Sequence, residues 1–169
     1  IFQMVMGWDV DGVIAISFSK SNCEKIYQLI NKPIVSIDAY GELDAGQESH
    51  VLNIGLDDES GGYLMTKYLL ECGYEHIQVC AGRDNGVDHL RYMGAQKAAK
   101  EFAEKQQKVQ FTALGMNYAK RKESYAWLIQ RKKPKTALFF LSDLYALEAI
   151  SFFSSRGVKI PEEIGIAGY

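Results

Sequence analysis

Seven short apolar runs, separated by stretches of helical periodicity, constrain this 169-residue chain more than anything else in it. They are residues 12–17 (GVIAIS), 34–38 (IVSID), 51–54 (VLNI), 76–81 (HIQVCA), 109–114 (VQFTAL), 136–141 (TALFFL) and 164–167 (IGIA). Each is too short to bury as a helix and is flanked by glycine, proline or polar turn residues, which is the pattern of a strand. About five helical segments lie between them. Strands that alternate with helices pair in parallel, and a parallel sheet needs cover on both faces. The expected fold class is therefore α/β, parallel sheets flanked by helices.

Local signals place the helices. Ser21 with Glu24 reads as a capping box, and Pro33 stops that helix before the second strand. Asp58 and Ser60 are cap candidates for the next helix, where Leu64, Tyr68 and Cys72 recur every fourth residue, with Met65 and Leu69 beside them, as one apolar face, and Gly73 marks the end. Gly61-Gly62 lets backbone approach closely. A third helix is expected to start near Asp88, carry Arg91 in its first turn and turn Gly94, Ala98 and Phe102 to one side. A fourth buries Tyr125, Leu128 and Ile129 and ends in Arg131-Lys132-Lys133, where cations suit the helix dipole. The last opens at Ser142-Asp143, carries Leu144, Leu147, Ile150 and Phe153, and stops by Gly157. Residues 1–10 read as the tail of a preceding element, and 39–50 as a polar loop. The best boundary between lobes lies near Gly55 to Asp58, giving 1–56 and 57–169.

A net charge of −2 is no footprint for wrapping nucleic-acid phosphates, so a DNA role for this segment has to come from residues outside it. The three cysteines, Cys23, Cys72 and Cys80, have no CxxC spacing and suit reduced thiols in a cytoplasm. No apolar run reaches the ~20 residues of a membrane span, and no signal-peptide pattern is visible.

In an open α/β sheet the ligand crevice lies at the carboxyl ends of the strands. Asp57, Asp58 and Arg91 are expected there. A guanidinium offers five fixed donors to hydroxyls or a carboxylate, and a charge-assisted hydrogen bond contributes ~1.5–3 kcal/mol. Asp57 and Asp58 read as a helix cap with a ligand acceptor beside it, in preference to a paired-carboxylate catalyst, because no catalytic partner accompanies them. Asp9 and Asp11, in DVDG, resemble the motif of haloacid-dehalogenase-type phosphatases. That chemistry needs an apolar strand before the motif, and here the strand follows it. His50, His76 and His89 lack metal-ligand spacing, so no metal or cofactor is expected. Lys120 to Lys122 and Arg131 to Lys135 read as solvated helix ends, and Trp127 as packing.

Taken in order, Val10-Asp11-Gly12-Val13-Ile14, PIVSID at 33–38, Asp57-Asp58 with GGYLMTKYLLECGYEHI, Arg91 with Gly94, Ser142-Asp143 with Ala146-Leu147, and IPEEIGIAGY at 160–169 resemble the effector-binding core of the LacI/GalR family of transcriptional regulators. The resemblance spans nearly the whole chain. It implies a periplasmic-binding-protein-like architecture of two Rossmann-like lobes, with a small-molecule effector, a sugar or sugar phosphate, in the cleft between them. It implies that Arg91 grips the ligand, and that Ser17, Phe18 and Asp38 line the cleft on the first lobe. Asp57 and Asp58 fall at the crossover, Tyr118 at an aromatic stacking position, and Ser142 where the family often has Asn. Leu147 and Ile150 fall in its homodimer face. The family's helix-turn-helix head, which meets operator DNA, and its first strand-helix unit are not in this sequence, and its pattern continues past Tyr169 with a ligand-binding aspartate. The expectation is a cytoplasmic, non-enzymatic regulator core truncated at both ends, without membrane contact. A sugar-binding receptor of a transporter is the alternative with the same fold.

Overall fold

The computed structural model describes Gly7 and residues 9–39, 48–84, 86–102 and 107–169. Most of the tail expected over 1–10, of the loop over 39–50 and of the run 104–108 lies outside the described residues. Contacts divide the chain into two compact units, 1–56 and 57–169.

The first unit holds β1 (Val13–Ile16), α1 (Lys20–Ile30), β2 (Ile34–Ile37) and β3 (Leu52–Ile54). The strands are parallel in the order β1-β2-β3, with Val13 opposite Ile34 and Val35 opposite Leu52. Ala15, Ile34 and Ser36 are buried on one face, together with Cys23 and Ile26 of α1. The opposite face presents Ile14, Ile16, Leu52 and Ile54, each more than half exposed. The α1 cap is Ser19, whose hydroxyl accepts from the Asn22 N–H at 3.2 Å, not Ser21. Glu24 is unavailable for a capping box, because it is buried and accepts from Ser49 Oγ (2.9 Å), His50 N–H (2.9 Å) and Val51 N–H (3.2 Å). It ties the entry of β3 to α1.

The second unit is built on β4 (His76–Ala81), β5 (Lys108–Ala113), β6 (Thr136–Phe140) and β7 (Gly165–Ala167), parallel in the order β5-β4-β6-β7. α2 (Asp58–Glu71) and α3 (Gly86–Phe102) cover one face, α4 (Tyr118–Arg131) and α5 (Asp143–Ser154) the other. All five residues of β6 are buried. Because side chains alternate along a strand, Ala137 and Phe139 join Leu69, Leu70 and Ala95 in one core. Leu138 and Phe140 join Tyr125, Leu128, Ala149 and Phe153 in the other.

One helix face differs in part from the sequence expectation. Along α2, Asp58, Gly62, Thr66, Leu69 and Leu70 are buried, whereas Leu64 is 62% exposed and Tyr68 61%. Small residues face inward because α2 and α3 touch backbone to backbone. A Cβ on Gly62 would lie 1.9 Å from the Arg91 carbonyl oxygen, and one on Gly94 would lie 1.9 Å from that of Glu59. Of the expected face Leu69 and Met65 reach the core, whereas Leu64, Tyr68 and Cys72 turn outward. On α5, Leu144 and Leu147 are exposed while Phe153 is buried.

Candidate ligand site

Three loops and one helix end meet at the carboxyl ends of β4, β6 and β7. The α2 cap is Asp57, not Asp58 or Ser60: its carboxylate accepts from Ser60 N–H at 3.0 Å and Ser60 Oγ at 2.7 Å. These bonds hold the Asp57 carboxyl below its usual range. Asp58, one residue on, turns inward, with its side chain 8% exposed.

Arg91 lies in the second turn of α3, which begins at Gly86, so Asp88 is a first-turn residue and not the cap. Its Nε donates to Asp58 Oδ1 at 2.8 Å and its Nη1 to the Leu141 carbonyl, at the end of β6, at 2.8 Å. The guanidinium carbon stands 3.8 Å from the centre of the Tyr169 ring, a cation–π stack. The Arg91 side chain is 14% exposed. Two of its five donors are thus committed to Asp58 and Leu141. Asp88, on the same helix, holds a carboxylate oxygen 3.8 Å from Nη1. Burial raises the Asp88 carboxyl above its ordinary value, against the opposing pull of Arg91.

The neighbouring loop is fixed by a second buried cation. Arg121 donates from Nε and Nη2 to the two carboxylate oxygens of Glu148 at 2.7 and 2.8 Å, and from Nη1 to the Met116 carbonyl at 2.8 Å. Tyr125, fully buried, donates to Glu148 at 3.2 Å. Arg121 holds the Glu148 carboxyl below its usual range, and burial raises the Tyr125 phenol. The expectation that Lys120 to Lys122 are solvated fails at Arg121, which is buried. Paired with Glu148 it locks the β5–α4 loop onto α5.

Asp58 and Arg91 are brought together, with Tyr169, Asp88 and the Leu141 carbonyl as partners that sequence reasoning missed, whereas the Asp57 carboxylate is taken up by the Ser60 cap. Tyr118, the first residue of α4, is 51% exposed, with Lys122 Nζ 5.1 Å from its ring. Ser142 occupies the cap position of α5 without a side-chain capping bond. A Cβ on Gly168 would lie 2.0 Å from Asp143 Oδ1, so a larger residue where the β7 end passes α5 displaces the Asp143 carboxylate. In the first unit, Ser17 and Asp38 close their strands with positive φ (54° and 51°), and Asp38 Oδ1 accepts from Leu56 N–H at 3.3 Å. Phe18 follows Ser17 and is half-buried. Asp9 and Asp11 precede β1 and do not end a described strand. Among the described residues no group of three His, Cys, Asp or Glu is placed to hold a metal.

Comparison with known proteins agrees with this arrangement. Residues 66–169 match the periplasmic binding protein-like domain. The chain is 35% identical over 117 residues to the HTH-type transcriptional repressor PurR of Haemophilus influenzae, covering 68% of the chain and 35% of that repressor. It is 31% identical over 170 aligned positions to PurR of Actinobacillus pleuropneumoniae, covering 99% of the chain and 49% of the relative. The chain thus spans about half or less of the length of these relatives. In structure it resembles a periplasmic binding protein/LacI transcriptional regulator from Alkaliphilus metalliredigens complexed with D-xylulofuranose, with a TM-score of 0.70, 24% identity, and coverage of 98% of this chain and 59% of that one. The chain belongs to the periplasmic binding protein-like domain family.

Proposed function

We propose that this chain is the effector-sensing part of a sugar-responsive transcriptional regulator, with residues 1–56 contributing to its first lobe and 57–169 most of its second. The observation that carries the reading is Arg91, held side-on by buried Asp58 and stacked on Tyr169 at the carboxyl ends of the sheet. A guanidinium fixed in this way donates to hydroxyls without first being ordered, which lowers the entropic cost of binding. Asp57, Asp58, Asp88 and Asp143 crowd this end with carboxylates, which accept from hydroxyls and repel phosphate. An uncharged sugar fits it better than a sugar phosphate. Tyr118 and Ser142 in the second unit, with Ser17, Phe18 and Asp38 in the first, complete the proposed contacts.

Transmission rests on a two-state equilibrium. A sugar shifts the lobe arrangement by its differential affinity for the two states and no more. Leu147, 64% exposed, and Ile150 on α5 are the proposed homodimer contact, where a change of lobe arrangement alters the spacing of the DNA-reading heads. The Glu148–Arg121 pair joins that helix to the β5–α4 loop. The cytoplasm is the proposed location.

The test uses the full-length protein. DNA fragments recovered by it from its own genome are assayed for affinity with and without ribose, xylulose and cellobiose. A sugar that changes DNA affinity at least fivefold supports the reading. A protein that binds sugar but no DNA contradicts it and favours a transport receptor.

A further inference from the structure

The opposite end of the second sheet carries a concavity of about 240 Å³ beneath the end of α4. Its floor is Thr136, Leu138 and Leu128, all buried. Around the rim stand Lys108 from the start of β5 and Arg131, Lys132 and Lys133 from the end of α4. No carboxylate among the described residues lines it. Among the described residues Lys132 pairs with Glu163, while Lys108, Arg131 and Lys133 have no acidic partner. Three cations without an acidic partner among the described residues thus surround one hollow in a chain whose net charge is −2.

Solvated helix-end charges explain part of this arrangement. The C-terminus of α4 carries roughly half a negative charge and attracts Arg131 to Lys133. It does not explain Lys108, which comes from a different element and closes the other side of the hollow. Nor does it explain the walls. Trp127 is 42% exposed, with the Arg131 guanidinium carbon 5.1 Å from its ring centre. Gln78 donates to Gln110 Oε1 at 3.1 Å and accepts from Thr112 at 2.8 Å, which fixes the Gln110 carboxamide at the rim. The donors are amide, ammonium and guanidinium groups, with an aromatic edge.

We propose that this hollow is a binding site for a small phosphate-bearing molecule, separate from the Arg91 site. A phosphate monoester carries about −1.5 to −2 at neutral pH, a charge that three cations at a helix C-terminus are sufficient to neutralise. The volume lies just below the ~300 Å³ at which pockets for larger ligands begin. That size suits phosphate with a short polar body. The site depends on its own residues and stands whether or not Arg91 binds sugar.

The test is a fluorescence titration of the 169-residue chain in a Trp8→Phe background, so that Trp127 is the emitter. Inorganic phosphate and glucose 6-phosphate are added at constant ionic strength. The expected result is a saturable change with either probe, weakened at least tenfold by Lys108→Glu and by Lys133→Glu, with unchanged circular dichroism, and unaltered by Arg91→Gln combined with Asp58→Asn. Saturation with phosphate alone identifies the free anion, and tighter saturation with the sugar phosphate identifies an ester; both support the site. A change that grows linearly, that survives both lysine substitutions, or that saturates with heparin alone overturns it, the last by pointing to an extended polyanion surface.

Discussion

Two parallel sheets in this molecule meet the same physical demand in different ways. In the second unit β6 buries all five of its residues between two helix layers. In the first, the rows Ile14–Val35–Leu52 and Ile16–Ile37–Ile54 are in register across three strands, and one side of the sheet stands largely open. The strand sequences are of similar character. What differs is the packing above them. An apolar run therefore reports what a strand can bury, and the layers around it decide whether it does.

The largest test of this contrast is Phe139→Ala in β6. Phe139 is fully buried within one core of the second unit. Its truncation is expected to cost about 3–5 kcal/mol, read from the urea midpoint of the second unit's unfolding. A loss below 1 kcal/mol means that this core is not packed as described.

The Arg121–Glu148 pair comes next. Their side chains are 9% and 20% exposed, so Glu148→Gln leaves a largely buried guanidinium without its counter-charge, an expected loss of about 3 kcal/mol. Arg121 depresses the Glu148 carboxyl in the folded state, so the pair's contribution is complete above the ordinary value of 4.5 and is lost as pH falls through the depressed one. The wild-type melting temperature is expected to drop on acidification below 4.5 more steeply than that of Glu148→Gln. Parallel curves contradict the pairing.

The smallest effect is expected on the open sheet. Leu52→Thr, at a position 64% exposed, should alter the stability of this chain by about 0.5 kcal/mol or less. It should also reduce binding of an apolar dye. A loss comparable with Phe139→Ala means that this face is covered.

Much of the fold was legible because strand length and turn chemistry are local. All seven strands stand where their apolar runs fall, and Pro33 and Gly73 lie just past helix ends. Errors arose where a distant partner decided the outcome. Ser21 with Glu24 satisfies a capping pattern, yet the backbone of residues 49–51 takes the carboxylate. The Leu64–Tyr68 stripe has the right period, but the Gly62–Gly94 approach turns it outward. At the candidate site, the helix that carries Arg91 was legible from its place on the chain, though Arg91 lies one turn further along it than expected. Its Leu141 and Tyr169 partners were not, because they reach it through the order of strands in the sheet. The rim of the basic hollow was hidden for the same reason, since Lys108 and Arg131 belong to separate elements.

The most direct test of the proposed function replaces Arg91 without stranding Asp58. In the full-length protein, Arg91→Gln with Asp58→Asn keeps a neutral pair in place of the buried ion pair and removes the guanidinium. The reading predicts a folded protein that still binds its DNA and whose response to the effector sugar falls at least tenfold. An unchanged sugar response in that variant contradicts the assignment of Arg91.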